Sequence, residues 1–205
     1  MLKLFSVAVT GSIASGKSTV CQFFERWGAC VVDADRLLHQ VFSVETPVGK
    51  KICSLFGESI LKGSKIDRLR LAEAAFSHPQ LLEKLEDICH PYVNEAIKCE
   101  YEKACKGDFA FFAAEVPLLF ESRFSLAPWF DATIVVTADE EVALKRHLKK
   151  GLAMDQYVKR IKRQLSSLLK REKATYTIVN NGSLEELEQN VKKLFLELKS
   201  LQKQL

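Results

Sequence analysis

The segment GSIASGKS, residues 11–18, has the residue types and spacing of a phosphate-binding loop: Gly, four residues, Gly, Lys and Ser. Gly11 would let the backbone turn sharply, and Gly16 would let it approach a phosphate closely. Lys17 would reach the β- and γ-phosphates of a nucleotide, and the Ser18 hydroxyl would bind Mg²⁺. We expect nucleotide contacts from the loop and from the residue that follows it: Gly11, Ser12, Ile13, Ala14, Ser15, Gly16, Lys17, Ser18 and Thr19.

This loop needs a strand before it and a helix after it, and the sequence predicts both. Residues 4–9 are apolar and indicate a short buried strand. In residues 15–27 the apolar side chains Val20, Phe23, Phe24 and Trp27 recur at helical spacing. A phosphate would then lie at the N-terminus of that helix, where free amides and the helix dipole favour an anion. An ordinary glycine-rich turn is the alternative, and this context disfavours it.

Two carboxylates, Asp33 and Asp35, follow the second predicted strand, residues 29–32. In a fold of this type they would lie near the loop, where a carboxylate can accept a proton from an attacking hydroxyl. The alternative is local: Asp35 can cap a helix and Asp33 can form a turn.

Positive charge is concentrated in one segment. Residues 145–173 hold eleven Lys or Arg and two acids, so the rest of a chain whose net charge is +4 is acidic. Arg160 and its neighbours are either a solvated helix face or cations that cover the phosphates during transfer. A local cluster does not favour binding of duplex nucleic acid, which needs a broad basic surface.

The remaining pattern indicates an α/β fold. Further strands are predicted at residues 109–116, 132–137 and 176–179, alternating with helices, which favours a mainly parallel five-stranded sheet. Residues 36–106 are mostly helical and too long for a simple crossover; two of their helices are predicted to be separated at His90-Pro91. Residues 155–173 are predicted as one basic helix, and Ser183 with Glu186 as a capping box.

Composition narrows the class of protein. No stretch of the 205 residues approaches the roughly 18 apolar residues of a membrane-spanning helix, and the apolar N-terminus is assigned to the first strand rather than to a signal peptide. The six cysteines include no CxxC pair, so we expect reduced thiols, most of them in the core of a cytoplasmic protein.

Over residues 5–195 the chain resembles the dephospho-CoA kinase family. The resemblance depends on VAVTGSIASGKSTV, VVDAD, IDRLRL at 66–71, HP at 90–91, VPLLFE at 116–121, Arg160-Ile161 with Gln164, and NNGSLEEL at 180–187. It implies a single domain, residues 1–205, with a P-loop kinase core, a helical acceptor-binding lobe and a lid. The core would comprise residues 1–35, 108–145 and 174–205, the lobe residues 36–107, and the lid residues 146–173.

The resemblance also implies an activity and roles for residues. ATP, with Mg²⁺ held partly by Ser18, would donate its γ-phosphate to the ribose 3′-hydroxyl of dephospho-CoA. Asp35 would be the general base, Asp33 would orient the hydroxyl, and Lys17 and Arg160 would stabilise the transferring group. Arg68 and His90 would lie in the acceptor site. The implied partners are these two small molecules, with no nucleic acid, membrane or obligate protein partner.

Four positions depart from the family pattern. Ser12 and Ala14 stand where the family often has Gly, Lys150 stands where an Arg is common, and Thr175 replaces the usual Asp. A lysine cannot make a bidentate phosphate contact, so Arg146 is an alternative lid cation.

Three other functions compete with this interpretation. The first is another P-loop nucleotide or small-molecule kinase, against which the IDR and PLLFE segments argue. The second is a nucleotide-dependent regulatory or nucleic-acid-binding protein, and the sequence lacks the Asn-Lys-x-Asp segment of guanine-specific switches. The third is an inactive relative, against which the presence of Lys17, Ser18, Asp33 and Asp35 argues.

Overall fold

Five parallel strands form the central sheet of the structure, a computed structural model that describes residues 3–204. The strands are β1 Ser6–Gly11, β2 Cys30–Asp33, β3 Leu61–Lys62, β4 Lys65–Ile66, β5 Phe112–Glu115, β6 Ala132–Thr137 and β7 Tyr176–Val179, of which β3 and β4 form a separate antiparallel hairpin. The order of strands in the central sheet is β2-β5-β1-β6-β7, and every neighbouring pair is parallel. This confirms the predicted α/β class and the five-stranded parallel sheet.

Helices connect these strands. They are α1 Lys17–Arg26, α2 Ala34–His39, α3 Pro47–Phe56, α4 Arg68–Phe76, α5 Pro79–Ala104, α6 Glu140–Lys149, α7 Met154–Ile161, α8 Ser167–Lys173 and α9 Leu184–Gln202. Several begin where a side chain caps the free amides of the first turn. Asp67 accepts hydrogen bonds from the amides of Leu69 and Arg70, and the predicted capping box of Ser183 and Glu186 is complete.

The chain divides into two compact units. One contains the five-stranded sheet and comprises the residues up to Asp33 and from Glu100 onward; the other is 34–99. In the second unit, α2–α4, the β3–β4 hairpin and the first part of α5 surround their own apolar cluster, which includes Val41, Ile52, Ile60, Ile66 and Leu71. The second unit therefore has a core of its own.

Apolar side chains of β1, β6, α1 and α9 form the main core of the first unit. The rings of Phe24, Phe111 and Phe195 meet at its centre, with ring centroids 5.2 Å apart for Phe24 and Phe111 and 5.3 Å apart for Phe111 and Phe195. Such aromatic pairs add to the free energy gained by burying their surface. The core thus holds α1, and with it the loop that precedes α1, against the sheet.

The predicted separation of two helices at His90-Pro91 is wrong, because α5 continues through Pro91. A proline inside a helix removes one backbone hydrogen bond and usually kinks or ends the helix. Here Cys89, Val93 and Ile97 are buried at four-residue spacing on both sides of the proline. Burial of this continuous apolar stripe offsets the lost hydrogen bond.

The single basic helix predicted for residues 155–173 is also wrong. The structure has two helices there, α7 and α8, separated by residues 162–166. Ser166 begins the second helix by accepting a hydrogen bond from the amide of Leu169. Leu168 and Leu169 of the second helix are exposed. The β3–β4 hairpin was not predicted either, because its strands have only two residues each.

No helix within residues 3–204 is long and apolar enough to cross a lipid bilayer.

Asp131, which precedes β6, fixes the start of β1. Its Oδ2 accepts hydrogen bonds from the amide and the hydroxyl of Ser6, both at 2.8 Å, and its Oδ1 accepts one from Lys3 Nζ at 2.6 Å. Burial alone would raise the pKa of Asp131, but the hydrogen bonds from Lys3 and Ser6 outweigh burial and lower that pKa. The charged carboxylate therefore stabilises the folded chain.

We predict that Phe24→Ala lowers the free energy of unfolding by about 3–5 kcal/mol, because it removes a fully buried ring and leaves a cavity. Urea denaturation followed by circular dichroism measures this. Leu196→Ala, at an exposed site on α9, is the control and should cost less than about 1 kcal/mol. Equal losses in the two variants would contradict the assignment of the core.

We predict that Asp131 stabilises the fold at neutral pH and that this stabilisation disappears in acid. Its folded pKa lies below the unfolded value of about 3.9, so the contribution is complete above that value and is lost as the pH falls through the folded pKa. The difference in unfolding free energy between the parent chain and Asp131→Asn should therefore shrink between pH 7 and strongly acid solution. Gln22→Ala, an exposed substitution that changes no titratable group, is the control and should show no such change.

Candidate active site

Residues 11–18 adopt a tight loop between β1 and α1, as the spacing predicts. Gly11 has φ +149° and Gly16 has φ +103°, and Gly16 stands at the N-cap of α1. Ala14 has φ +56°, a left-handed conformation in which glycine carries no penalty and other residues do. The departure from the family pattern at position 14 therefore leaves the loop conformation intact, at a local cost.

Both loop glycines also lack the space for a side chain. A Cβ atom at Gly11 would lie 2.1 Å from the carbonyl oxygen of Val136 in β6, and one at Gly16 would lie 2.2 Å from the Asn180 side-chain nitrogen. The loop thus packs against the end of the sheet at two points. Close packing keeps its backbone in one conformation.

Lys17 is buried, and its ammonium group contacts the loop itself. Nζ donates to the carbonyl oxygens of Ser12 at 2.9 Å and Gly11 at 3.2 Å. A lysine side chain has several rotatable bonds, so the same ammonium can turn from these carbonyls to a phosphate. The structure therefore holds this ammonium group inside the loop.

Oxygen donors gather beside Ser18. Its hydroxyl donates to Oε1 of Glu115 at 3.0 Å, and Glu115, at the end of β5, is buried. In the sheet register Glu115 stands opposite Asp33, the last residue of β2. Hydroxyl and carboxylate oxygens are the ligands that Mg²⁺ prefers. Residues 3–204 contain no cluster of three or more His, Cys, Asp or Glu side chains arranged to hold a metal ion.

Carboxylates beside the loop also act on Cys21, which lies in α1. Burial is the main cause that raises the pKa of its thiol, and the negative charges of Glu115 and Asp33 raise it further, whereas Lys17 opposes them. The thiol therefore stays protonated. Cys21 is a core residue, as expected from the sequence.

Asn180, the residue that follows β7, holds the loop from one side. Its side-chain amide donates to the carbonyl of Ser15 at 2.7 Å. Arg146 in turn donates to the backbone carbonyl of Asn180 at 2.8 Å and to its side-chain oxygen at 3.2 Å. Arg146, considered from sequence as an alternative lid cation, thus orients Asn180 in this structure.

The connection between α7 and α8 holds the loop from another side. The side-chain oxygen of Gln164 accepts a hydrogen bond from the amide of Ile13 at 2.9 Å, and the hydroxyls of Ser12 and Ser167 lie 3.0 Å apart. Ile13 also packs against Ala143 and Tyr157. The serine that departs from the family pattern at position 12 thus makes a contact that glycine could not make.

The structure assigns the predicted site residues to different parts of the chain. The first unit contains the loop residues, Thr19 in the first turn of α1, Asp33 at the end of β2, and Arg160 in the last turn of α7, where it is exposed. The second unit contains Asp35 in the first turn of α2, Arg68 at the start of α4, and His90 within α5. Asp35 and Arg68 are exposed, and His90 is half-buried.

The other two departures, Thr175 and Lys150, lie outside the loop. The Thr175 hydroxyl accepts a hydrogen bond from the amide of Thr133 at 3.0 Å and so joins the start of β7 to β6. Lys150 is exposed at the C-cap of α6.

Several residues that hold the loop are not evident as such from the sequence. Asn180 and Gln164 occur there only within motifs of the resemblance, and Lys170 does not stand out from the other lysines of its segment. Glu121, the last residue of the VPLLFE motif, pairs with buried Lys170 at 2.8 Å. Each of these contacts joins segments that are far apart in the chain, so spacing gives no sign of them.

Known proteins resemble the chain over nearly its whole length. The family model described as dephospho-CoA kinase matches residues 5–186. A dephospho-CoA kinase of Protochlamydia amoebophila is 43% identical over 204 residues, covering 97% of this chain and 98% of the relative. A solved Thermus thermophilus structure has a TM-score of 0.79 and 32% identity, with coverage of 96% and 98%. A dephospho-CoA kinase structure from Campylobacter jejuni has a TM-score of 0.71 and 30% identity, with coverage of 95% and 97%.

We predict that Gly16→Ala weakens ATP binding at least about tenfold, because the new methyl group would collide with Asn180 and shift the loop amides. Gly28→Ala is a matched control: its φ of +98° is similarly strained, but nothing lies within 4 Å of the added Cβ. Calorimetric titration with Mg·ATP measures both. Backbone strain should lower the free energy of unfolding in both variants, and only Gly16→Ala should lose affinity for ATP. Equal ATP affinities would contradict the role of close packing.

Proposed function

The chain belongs to the dephospho-CoA kinase family, and we propose that its loop 11–18, Asp33 and Asp35 carry out this family's reaction. The γ-phosphate of ATP is transferred to the ribose 3′-hydroxyl of dephospho-CoA, giving coenzyme A and ADP. The observation that supports this best is the loop itself, with Lys17 buried at the N-terminus of α1 and its ammonium group next to the carbonyls of Gly11 and Ser12.

Phosphoryl transfer depends mainly on positioning and on charge stabilisation. We assign the phosphates to the backbone amides of the loop, where α1 begins and its dipole favours an anion. Lys17 leaves the carbonyls of Gly11 and Ser12 and pairs with the β- and γ-phosphates. Arg160, exposed in α7 of the lid, supplies a second cation to the transferring group.

Activation of the acceptor is assigned to the two aspartates. Asp35 accepts the proton of the 3′-hydroxyl while the 3′-oxygen attacks the γ-phosphorus of ATP, and Asp33 orients that hydroxyl. Asp35 is exposed in the first turn of α2, so a substrate can reach its carboxylate. Arg68 and His90, both of the second unit, are assigned to the anionic acceptor.

The oxygens around Ser18 fit a magnesium ion. The Ser18 hydroxyl and the buried Glu115 carboxylate are 3.0 Å apart, and Asp33 ends the neighbouring strand, which gives a hard-oxygen donor set without Cys or His. We propose Ser18 and Glu115 as the protein groups that hold Mg²⁺ with ATP. When bound, the ion supplies positive charge to the phosphate oxygens.

The cytoplasmic location expected from the reduced thiols stays a prediction.

We predict that Asp35→Asn lowers kcat at least about a hundredfold while leaving the Kd for ATP within about twofold, because the amide cannot accept the hydroxyl proton. The purified chain would be incubated with Mg·ATP and dephospho-CoA, and coenzyme A would be followed by mass spectrometry. Calorimetry would give ATP affinity separately.

Glu58→Gln, another exposed acid of the second unit, is the control and should keep the parent rate. Coenzyme A formation at the parent rate in Asp35→Asn would remove that residue from the role of base and make Asp33→Asn the next variant. Absence of coenzyme A with the parent chain, together with phosphorylation of another hydroxyl compound, would contradict the assigned acceptor.

A further inference from the structure

Residues 164–170, which we call the support segment, contact three consecutive residues of the phosphate loop. The side chain of Gln164 accepts a hydrogen bond from the amide of Ile13, and the hydroxyl of Ser167 contacts the hydroxyl of Ser12. Lys170 Nζ donates to the carbonyl of Gly11 at 3.4 Å. Each step of three residues along the support segment thus corresponds to one step back along the loop. The segment therefore follows the loop residue by residue, and Lys170 is its deepest contact.

Lys170 is fully buried, and its charge is balanced by one carboxylate. Nζ lies 2.8 Å from Oε1 of Glu121 and 3.3 Å from the carbonyl oxygen of Pro117. Oε1 of Glu121 also accepts the amide of Leu165 at 2.9 Å. A buried ammonium group is tolerated only when it is paired and hydrogen-bonded, and Lys170 satisfies both conditions.

Two ammonium groups donate to one carbonyl. The oxygen of Gly11 accepts from Lys17 at 3.2 Å and from Lys170 at 3.4 Å, and a carbonyl oxygen has two lone pairs with which to do so. Lys17 must leave this oxygen when it turns to a phosphate. Lys170 is held by Glu121 and stays. A buried carbonyl that keeps one donor avoids the penalty of an unsatisfied polar group.

We propose that Lys170 is a positioning residue for phosphoryl transfer, which keeps the Gly11 carbonyl hydrogen-bonded and so lowers the cost of moving Lys17 onto the phosphates of ATP. Lys170 acts through Lys17 and does not itself touch the nucleotide. The proposal rests on the role of Lys17 in the proposed function. A purely structural Lys170 would stabilise the chain without any specific coupling to Lys17.

The test uses the full chain with Lys170→Met and Glu121→Gln combined. Removing both charges leaves no unpaired ion in the interior, and the glutamine can still accept the amide of Leu165. We expect the Kd for Mg·ATP, measured by calorimetry, to rise about tenfold, as for the loss of a hydrogen bond to a charged group. The Kd for dephospho-CoA should stay within about twofold. Lys173→Met, an exposed lysine of the same helix, is the matched control and should match the parent.

A double-mutant cycle with Lys17→Met separates the two roles. Lys17→Met alone should weaken ATP binding strongly, and adding the Lys170 and Glu121 substitutions should then change the Kd by less than about twofold. An equal loss in both backgrounds would show that Lys170 only stabilises the fold, and parent-like ATP affinity in the combined variant would also overturn the proposal. If Lys17→Met binds ATP like the parent chain, the proposed role of Lys17 fails, and this inference fails with it.

Discussion

A phosphate loop must keep several of its amides available for the nucleotide, and this requirement governs much of the structure around residues 11–18. Amides reserved for a ligand cannot hold the loop, so its other polar groups must be satisfied by side chains. Asn180 donates to the Ser15 carbonyl, two lysines donate to the Gly11 carbonyl, and Gln164 accepts from the Ile13 amide, which is held by protein instead of being left for a ligand. The loop is thus fixed by Lys17 of α1, by Asn180, which follows β7, and by the support segment.

These contacts explain why the first unit is built around a parallel sheet. In such a sheet the carboxyl ends of all strands meet at one edge, where α/β proteins place their ligands. Gly11 ends β1, Glu115 ends β5 and Asn180 follows β7, so residues far apart in the chain meet at that edge. The aromatic core with Phe24, Phe111 and Phe195 holds α1 against the sheet and so fixes the position of the loop between them.

Sequence pattern predicted the parts of this arrangement that are local. The loop follows from glycine spacing, β6 and β7 from short apolar runs, and the start of α9 from its capping box. Elements that depend on tertiary burial were not predictable in this way. From sequence alone Pro91 predicts the end of a helix, and only the buried apolar residues on both sides of it explain why the helix continues. Residues 162–166 have a helical pattern but are not helical, and two of them bond instead to the loop and to Glu121. Gln164 and Lys170 resembled other polar residues of a basic segment for the same reason.

Ala14 carries a consequence for the thermodynamics of nucleotide binding. A left-handed backbone at φ +56° costs an alanine stability that a glycine would keep. In exchange, an alanine has fewer backbone conformations to lose than a glycine when the chain folds, and close packing then leaves the loop little freedom to lose when a ligand binds. The chain therefore accepts strain in its resting loop, and the entropy change that opposes ATP binding becomes smaller.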